Sequence, residues 1–304
     1  MNIKYQYYSE LEENNRLYYY KICRDFLGEL RYEYRGFCEW YESLFRKDAA
    51  LHSERDILMC LSGKEIAGIT ILKDTLNEKK ICTLRVKQEY QRRGIGRELL
   101  KKSVKKLHTE KPLITVREDQ YTFFDKLFKE FGFILKQKKY DYYSFMGIEY
   151  VFNGFLPDRE CHSILLPIHP TYANLIYNNT KKFEFRKKLC KEYVDRIYLY
   201  ETSPIKAVTG VVEITERLRL PIDVLWKFTK KEAGVGIETF SNYYCKHNEG
   251  CAYRLGHYLK FNTPLSVLTF GLKSGGQSFQ YLLDEQIPFE MFLANTDTQN
   301  LDIM

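Results

Sequence analysis

Alternation of hydrophobic and polar residues predicts several strands in the first half of the chain. Strands are predicted over residues 3–8 and 112–116, and two alternating strands over residues 56–61 and 65–72, which the polar residues 62–64 (Ser-Gly-Lys) separate. Side chains of a strand point in turn to its two faces, so this period of two is typical of half-buried strands. The pattern therefore predicts a β-hairpin over residues 56–72 within a larger sheet.

Helical spacing of apolar residues predicts helices between these strands. Residues 37–45 and 121–131 show it, and Ser9 followed by Glu12 is the pattern of a capping box at the start of another helix. The apolar stripe of that helix is Leu11, Leu17, Tyr18, Ile22 and Leu27. Strands and helices therefore both occur in this half of the chain, and each is expected to bury an apolar face against the other.

Residues 82–107 combine a strand, a polar turn and a helix. The strand spans residues 82–86, residues 88–93 are polar, and Gly94 and Gly96 precede an apolar stripe at helical spacing. The first amides of a helix have no internal partner, and the helix dipole makes that end partly positive. Glycines allow close approach of an anion to these amides. The turn therefore predicts an anion-binding site, to which three arginines add charge: Arg92, Arg93 and Arg97.

The turn resembles motif A of the GNAT acetyltransferase superfamily, [RQ]-x-x-G-x-[GA], with Gln91, Gly94 and Gly96 at the signature positions. The preceding V-K-Q-E-Y departs from the family in having Gln88 where proline is common. The resemblance implies an α+β fold with a mixed β-sheet flanked by helices. It also implies that acetyl-CoA is the cofactor, with its diphosphate on the amides of residues 91–96. The cofactor-binding residues that it implies are Leu84, Val86, Gln91, Arg92, Arg93, Gly94, Ile95, Gly96 and Arg97.

The same resemblance implies direct acyl transfer, in which an amine attacks the thioester and a backbone N–H of the fourth strand holds the oxyanion. Proton transfer needs an acceptor and a donor. Residues 82–86 contain no glutamate, and Phe124 lies where many family members have the tyrosine that protonates the sulfur. Glu89 and Tyr121 are the catalytic candidates, although a loop glutamate is more often a solvated surface residue. Further tyrosines that could act as the acid are Tyr140, Tyr142 and Tyr143.

A new pattern begins after residues 151–162, which we interpret as a linker. Residues 164–168 predict a strand, and Pro170 begins a predicted helix. In the strand that follows, Lys182, Glu184 and Arg186 share one face, while Phe183 and Phe185 occupy the other. A basic strand face of this kind suits an anion or a nucleobase, and the alternative is a set of ion pairs on an exposed sheet.

This part resembles the ASCH family of PUA-like β-barrels, whose signature strand is G-x-K-T-x-E-x-R. Lys181, Glu184 and Arg186 match it, whereas Asn179 replaces the glycine and Lys182 the threonine. Two later segments also match, G-C-A-Y-R-L-G over residues 250–256 and G-G-Q-S-F-Q-Y-L over residues 275–282. The resemblance implies an RNA or modified-nucleoside ligand, with Lys181, Glu184 and Arg186 as its binding residues.

The predicted organisation is a GNAT domain over residues 1–150, the linker, an ASCH PUA-like β-barrel domain over residues 163–284, and a loosely held tail over residues 285–304. The net charge of +7 lies mainly in the first half, because Lys and Arg outnumber Asp and Glu by 29 to 23 over residues 1–154 and by 18 to 17 thereafter. Coenzyme A is itself polyanionic, so this excess is weak support for a nucleic-acid partner.

Eight scattered cysteines predict reduced thiols in a cytoplasmic protein, and no apolar segment is long enough to be a signal peptide or to span a membrane. Cys245, His247, Cys251 and His257 do not have the spacing of a known zinc finger, so no metal is expected.

The favoured hypothesis is acetyl transfer from acetyl-CoA to an RNA or nucleotide-linked amine that the ASCH domain presents. Two alternatives stay open: an RNA-binding regulator whose degenerate GNAT domain senses acyl-CoA, and a protein N-acetyltransferase with an accessory barrel. Acyl length and oligomeric state are not specified by the sequence.

Overall fold

The chain, in a computed structural model, divides into two compact units, residues 1–157 and 158–304. The structure describes residues 3–32, 34, 36–158 and 163–289. The first unit contains, in chain order, β1 (Ile3–Tyr7), α1 (Glu13–Leu27), α2 (Phe37–Glu42), β2 (Arg55–Ser62), β3 (Glu65–Asp74), β4 (Lys79–Val86), α3 (Ile95–Lys106), β5 (Leu113–Arg117), α4 (Glu118–Glu130), β6 (Leu135–Tyr140) and β7 (Ile148–Phe152).

The seven strands of the first unit form one sheet in the order β1-β2-β3-β4-β5-β7-β6. Every neighbouring pair is antiparallel except β4 and β5, which are parallel. Alternate residues of β2 enter different cores: Ile57 and Met59 pack with α1 and α2, whereas Leu58 and Cys60 pack with α3. The predicted mixed sheet with helices on both faces is confirmed.

The start of the first helix differs from the sequence prediction. Ser9 lies in a 3-10 turn, its hydroxyl donates to a carboxylate oxygen of Asp56 at 2.6 Å, and α1 begins at Glu13 without a side-chain cap. The capping box is therefore wrong, because a buried carboxylate on β2 binds the hydroxyl instead. Leu17 and Tyr18 of the predicted stripe are 56% and 48% exposed, so the buried face of α1 is narrower than predicted.

Strands β4 and β5 separate soon after they meet. Their ladder consists of Lys80 with Leu113 and Ile81 with Ile114. The register of β4 against β3 shifts at Cys82, which is the irregularity expected of a β-bulge. Residues 82–86 and 115–117 have no ladder between them in the described sheet. We call this break in strand pairing the gap between β4 and β5; it lies at the end of β4 that leads into α3.

The second unit contains, in chain order, β8 (Ser163–Ile168), α5 (Pro170–Tyr177), β9 (Phe183–Arg186), β10 (Arg196–Glu201), β11 (Ala207–Pro221), α6 (Ile222–Thr229), α7 (Ile237–Tyr243), β12 (Glu249–Leu265) and β13 (Gln280–Leu282). These strands form a sheet in the order β13-β8-β10-β11-β12-β9. Register shifts in β11 against β12 bend this long hairpin. Within the described residues no ladder joins the edge strands β13 and β9, so closure into a barrel stays a prediction.

Some predicted boundaries differ from the structure. Strand β7 extends to Phe152, so the first two residues of the predicted linker belong to the sheet. Residues 159–162 of that linker and residues 290–304 of the predicted tail lie outside the described residues. The part of the tail that is described includes the end of a 3-10 turn, Asp284–Gln286, followed by the buried Ile287.

Candidate functional site

The turn between β4 and α3 is an exposed bend that ends at a helix start. Arg92 has a φ of 59° and Gly94 a φ of 78°, both in the left-handed region. Helix α3 then begins at Ile95 with no side chain capping it, and its first helical hydrogen bond runs from the Glu98 amide to the Gly94 carbonyl. The amides of the first helical turn therefore precede any helical partner, as at every helix start.

Space around this turn is open. A Cβ built on Gly94 would meet nothing within 4 Å, and one on Gly96 would make an ordinary contact of 3.7 Å with the Val86 side chain. Gln91 donates from its side chain to the Val86 carbonyl at 3.1 Å, which ties the turn to the end of β4. An anion of the size of a diphosphate could thus approach these amides from solvent.

The predicted cofactor residues are divided between the turn and the strand. Leu84 and Val86 pack in the cores beneath α3 and are only partly exposed. Ile95, the first residue of α3, is buried and packs the helix on the sheet, whereas Arg92 and Arg93 lie on the surface. Arg97 is exposed and pairs with Glu130 of α4 at 2.6 Å. The three arginines therefore place positive charge around the turn, while its backbone stays exposed.

The structure gives each predicted catalytic residue an identified partner. Glu89 lies in an exposed 3-10 turn and pairs with Lys87 at 2.7 Å. It is thus a solvated surface residue, which was the alternative to a catalytic role. Tyr121 of α4 stacks on Tyr150 with ring centroids 4.2 Å apart, and thus contributes to packing of the helix on the sheet. Phe124 packs against Phe128 in the same core.

The second unit contains a buried cluster of three charged side chains on and beside β9. The Lys181 ammonium lies 3.6 Å from one oxygen of Glu184, and the Arg186 guanidinium lies 3.0 Å from the other. Lys181 also donates to the Ala233 carbonyl at 3.3 Å, and Arg186 to the Pro167 carbonyl at 2.8 Å. The structure brings together the three predicted ligand-binding residues.

Two details of this cluster correct the sequence prediction. Lys181 and Glu184 are 3% and 7% exposed, so the ion pairs do not lie on an exposed sheet. Lys182, which was expected to share the face of Glu184, instead donates to the side chain of Asn179 at 2.6 Å and is partly exposed. Strand β9 begins only at Phe183, so the strict alternation does not extend back to Lys182.

Burial dominates the electrostatics of Lys181. Loss of hydration lowers the pKa of its ammonium, and the nearby Glu184 carboxylate opposes part of that change. Its ammonium also lies over the rings of Phe185 and Tyr172, at 4.9 and 5.5 Å from their centroids. Gly234, with a φ of 66°, covers its stem so closely that a Cβ there would lie 2.5 Å from the Lys181 Cβ. The lysine is therefore fixed and readily deprotonated compared with a surface lysine.

Sequence reasoning missed one buried carboxylate of the first unit, Glu149 on β7. The available signal was a single glutamate within the apolar segment Ile148–Phe152, part of which was interpreted as linker. Metal-ligating residues are not gathered anywhere among the described residues: no group of three or more His, Cys, Asp or Glu could hold an ion. No helix in the described part of the chain is long and apolar enough to cross a membrane.

Residues 31–151 match the family model of the acetyltransferase (GNAT) domain. The first unit thus contains a GNAT acetyltransferase domain, and the mixed sheet and the turn after β4 belong to it. The crystal structure of a Bacillus subtilis acetyltransferase in complex with CoA covers 51% of this chain and all of its own, with 15% identity and a TM-score of 0.34.

A second part of the chain is related to ASCH-domain proteins. The ASCH domain-containing ribonuclease of Zymomonas mobilis is 25% identical over 127 residues, which is 41% of this chain and 82% of that protein. The ATP synthase subunit alpha of Ureaplasma parvum is 23% identical over 124 residues. That match spans 40% of this chain and only 16% of the length of the subunit.

Proposed function

We propose that the protein is a cytoplasmic N-acetyltransferase that uses acetyl-CoA, and that its second unit binds the RNA or nucleotide that carries the acceptor amine. The observation that carries the proposal is the open helix start at Gly94–Arg97, next to the gap between β4 and β5. Backbone amides and three arginines at that point suit a diphosphate, and the gap suits the extended arm that leads to a thioester.

Acetyl transfer requires the thioester carbonyl to be polarised while the amine attacks. In the gap, residues 83–86 have no ladder with β5 among the described residues, while they stay paired with β3. Backbone N–H groups on the free edge of β4, near Leu84 and Val86, are thus available to an oxyanion. Collapse of the tetrahedral adduct then breaks the C–S bond, and the CoA thiolate takes up a proton.

The buried cluster of Lys181, Glu184 and Arg186 supports a ligand site in the second unit. Surface ion pairs contribute at most about 1 kcal/mol, and buried ones are often no better than apolar side chains of the same size. Stability alone therefore does not explain three charges at this position. A lysine with a lowered pKa and a partly exposed arginine suit a phosphate or the polar edge of a base.

Glycine-to-glutamate variants test the cofactor site. Gly94→Glu places a carboxylate where the diphosphate would bind, and we expect acetyl-CoA to lose its stabilisation of the first unit against heat. Gly63→Glu is the matched control, because Gly63 also has a positive φ, 64°, and open space around its Cβ position. The proposal fails if acetyl-CoA raises the Tm of both variants by the same amount as that of the wild type.

Transfer of label from radiolabelled acetyl-CoA identifies the acceptor. The panel consists of tRNA, total RNA, free nucleosides and a peptide with a free amino terminus. Label in RNA or nucleosides supports the proposal, whereas label in the peptide alone selects a protein N-acetyltransferase with an accessory domain. The same RNA samples are checked for cleavage, since one relative of the second unit is named as a ribonuclease.

The placement of Glu89 and Tyr121 favours one second candidate, an RNA-binding regulator whose GNAT domain senses acyl-CoA. Glu89 pairs with Lys87 on the surface, and Tyr121 stacks on Tyr150, so both side chains have partners other than a substrate. Slow release of CoA with every acceptor, together with RNA affinity that changes when acetyl-CoA is added, would select this function.

A further inference from the structure

Glu149 is a buried carboxylate that accepts no hydrogen bond from the residues that the structure describes. Its side chain is 1% exposed, and both of its oxygens are buried. Burial of a charged group in this state costs several kcal/mol, so most buried carboxylates are paired. An unpaired one within a well-packed strand is a sign of function rather than of stability.

Three cationic side chains lie near Glu149, and two of them, Arg117 and Lys80, donate hydrogen bonds to other residues. The Arg117 guanidinium donates to both oxygens of Asp119 at 2.6 Å, and the Lys80 ammonium donates to the Tyr143 hydroxyl at 2.8 Å. Arg117 on β5 and Lys139 on β6 are the register partners of Glu149, so their side chains share its face of the sheet. A carboxylate beside several cations is thus left available to a further positive group.

The carboxylate lies close to the gap between β4 and β5. Lys80 belongs to the short ladder at the closed end of this gap, and Arg117 lies at the end of β5 where the strands have separated. The positive charges of Arg117 and Lys80 both lower the pKa of Glu149. Lys80 and Tyr143 are partly exposed, and the cluster therefore reaches the surface.

We propose that Glu149 is the catalytic proton acceptor for acetyl transfer in the first unit, and that the acceptor amine arrives as an ammonium group bound by this carboxylate. This inference rests on the proposed acetyltransferase function. It also supplies the base that the fourth strand lacks, from the strand on the far side of β5.

Titration of the group agrees with this role. Burial raises the pKa of Glu149 to about 7, while Arg117 and Lys80 lower it in part and Asp119 raises it. Near neutral pH the carboxyl group is therefore present in both forms, which is the condition under which a general base is most effective. Lys139, its register partner on β6, is a further titratable group on the same face of the sheet.

The proposed step balances in protons and electrons. Glu149 takes one proton from the ammonium, and the free amine nitrogen attacks the thioester carbonyl carbon to form the C–N bond. The tetrahedral adduct collapses with cleavage of the C–S bond, and the CoA thiolate takes the second proton from the nitrogen. The products are the amide and CoA thiol, and Glu149 then releases its proton to solvent.

Glu149→Gln tests the step, because it keeps the shape of the side chain and removes its basicity. With the acceptor from the panel that takes up most label, we expect kcat/KM to fall by about 100-fold or more. Stabilisation by acetyl-CoA should be unchanged. In the wild type kcat/KM should rise with pH through an apparent pKa of about 7, and this dependence should be absent in the variant. Glu110→Gln, on the exposed surface, is the matched control.

Hydroxylamine as acceptor separates loss of a base from loss of structure. It is uncharged at neutral pH and needs no deprotonation before attack, so the variant should retain the wild-type rate with it. An unchanged pH profile in Glu149→Gln, or an equal loss with hydroxylamine, overturns the role of Glu149 while acetyl transfer by the wild type stands. A wild type that neither binds acetyl-CoA nor labels any acceptor overturns the proposed function and this step together.

Discussion

Glu184 of the second unit and Glu149 of the first are both buried, but their carboxylates have opposite surroundings. Glu184 lies between Lys181 and Arg186, with one ion pair to each oxygen. Neither oxygen of Glu149 has a hydrogen-bond partner among the described residues, and burial raises the pKa of this group to about 7. The free-energy cost of burying charge is thus offset within the protein in one case and not in the other.

The difference indicates two kinds of site. A paired cluster is fixed before a ligand arrives, so a ligand meets a prepared set of charges. An unpaired carboxylate gains its best partner only when a cation or a proton arrives, and therefore suits a proton transfer. The three variants below test this difference between the two carboxylates, in order of decreasing expected effect.

Glu184→Gln should have the largest effect on stability. It leaves Lys181 and Arg186 buried without their carboxylate, and we expect the second unit to lose about 3–5 kcal/mol of unfolding free energy. Trp226 reports this unit in urea titrations once the other tryptophan is removed by Trp40→Phe. Glu249→Gln is the control, because its pair with Arg219 is exposed and should contribute at most about 1 kcal/mol. Equal losses in both variants would mean that burial of the cluster has no energetic consequence.

Glu149→Gln should act in the opposite direction and depend on pH. The folded pKa of about 7 lies above the reference value of 4.5, so the folded state holds the proton more tightly than the unfolded state. The contribution of Glu149 to stability is therefore fully present below about pH 4.5 and is lost as the pH rises through 7. At pH 8 the variant should be more stable than the wild type by up to about 3 kcal/mol, and this gain should vanish near pH 4.

The measurement is urea unfolding of the first unit between pH 4 and 8, followed by Trp40 in a Trp226→Phe background. A variant that is less stable than the wild type at pH 8 would show that Glu149 is paired in solution.

Lys80→Met should produce the smallest change. Lys80 lowers the pKa of Glu149, so its removal should raise that pKa further. The midpoint of the pH-dependent loss of stability should move upward with it. Lys79→Met is the control, because Lys79 pairs with Asp74 instead. An unchanged midpoint in Lys80→Met would place the ammonium outside the environment of Glu149.

Much of the fold follows from local patterns. The apolar stripe of α3 (Ile95, Leu99 and Leu100) packs on the sheet as its spacing predicts. The hairpin of β2 and β3 turns at Gly63, which has a φ of 64°. The strand of Ser163–Ile168 and the helix that starts at Pro170 lie within a residue of the predicted starts. These features depend on neighbours in sequence, so the sequence is sufficient to predict them.

The sites were less predictable, because their chemistry depends on residues far apart in the chain. The glycine turn at Gly94 and the K-x-x-E-x-R pattern of the second unit could be recognised without coordinates, since both are short local motifs. Three features required the folded structure: Ser9 binds Asp56, the Lys181 cluster is buried, and Glu149 accepts no hydrogen bond from the described residues. Burial and pairing are set by which strands and loops come together, and no local period encodes that choice.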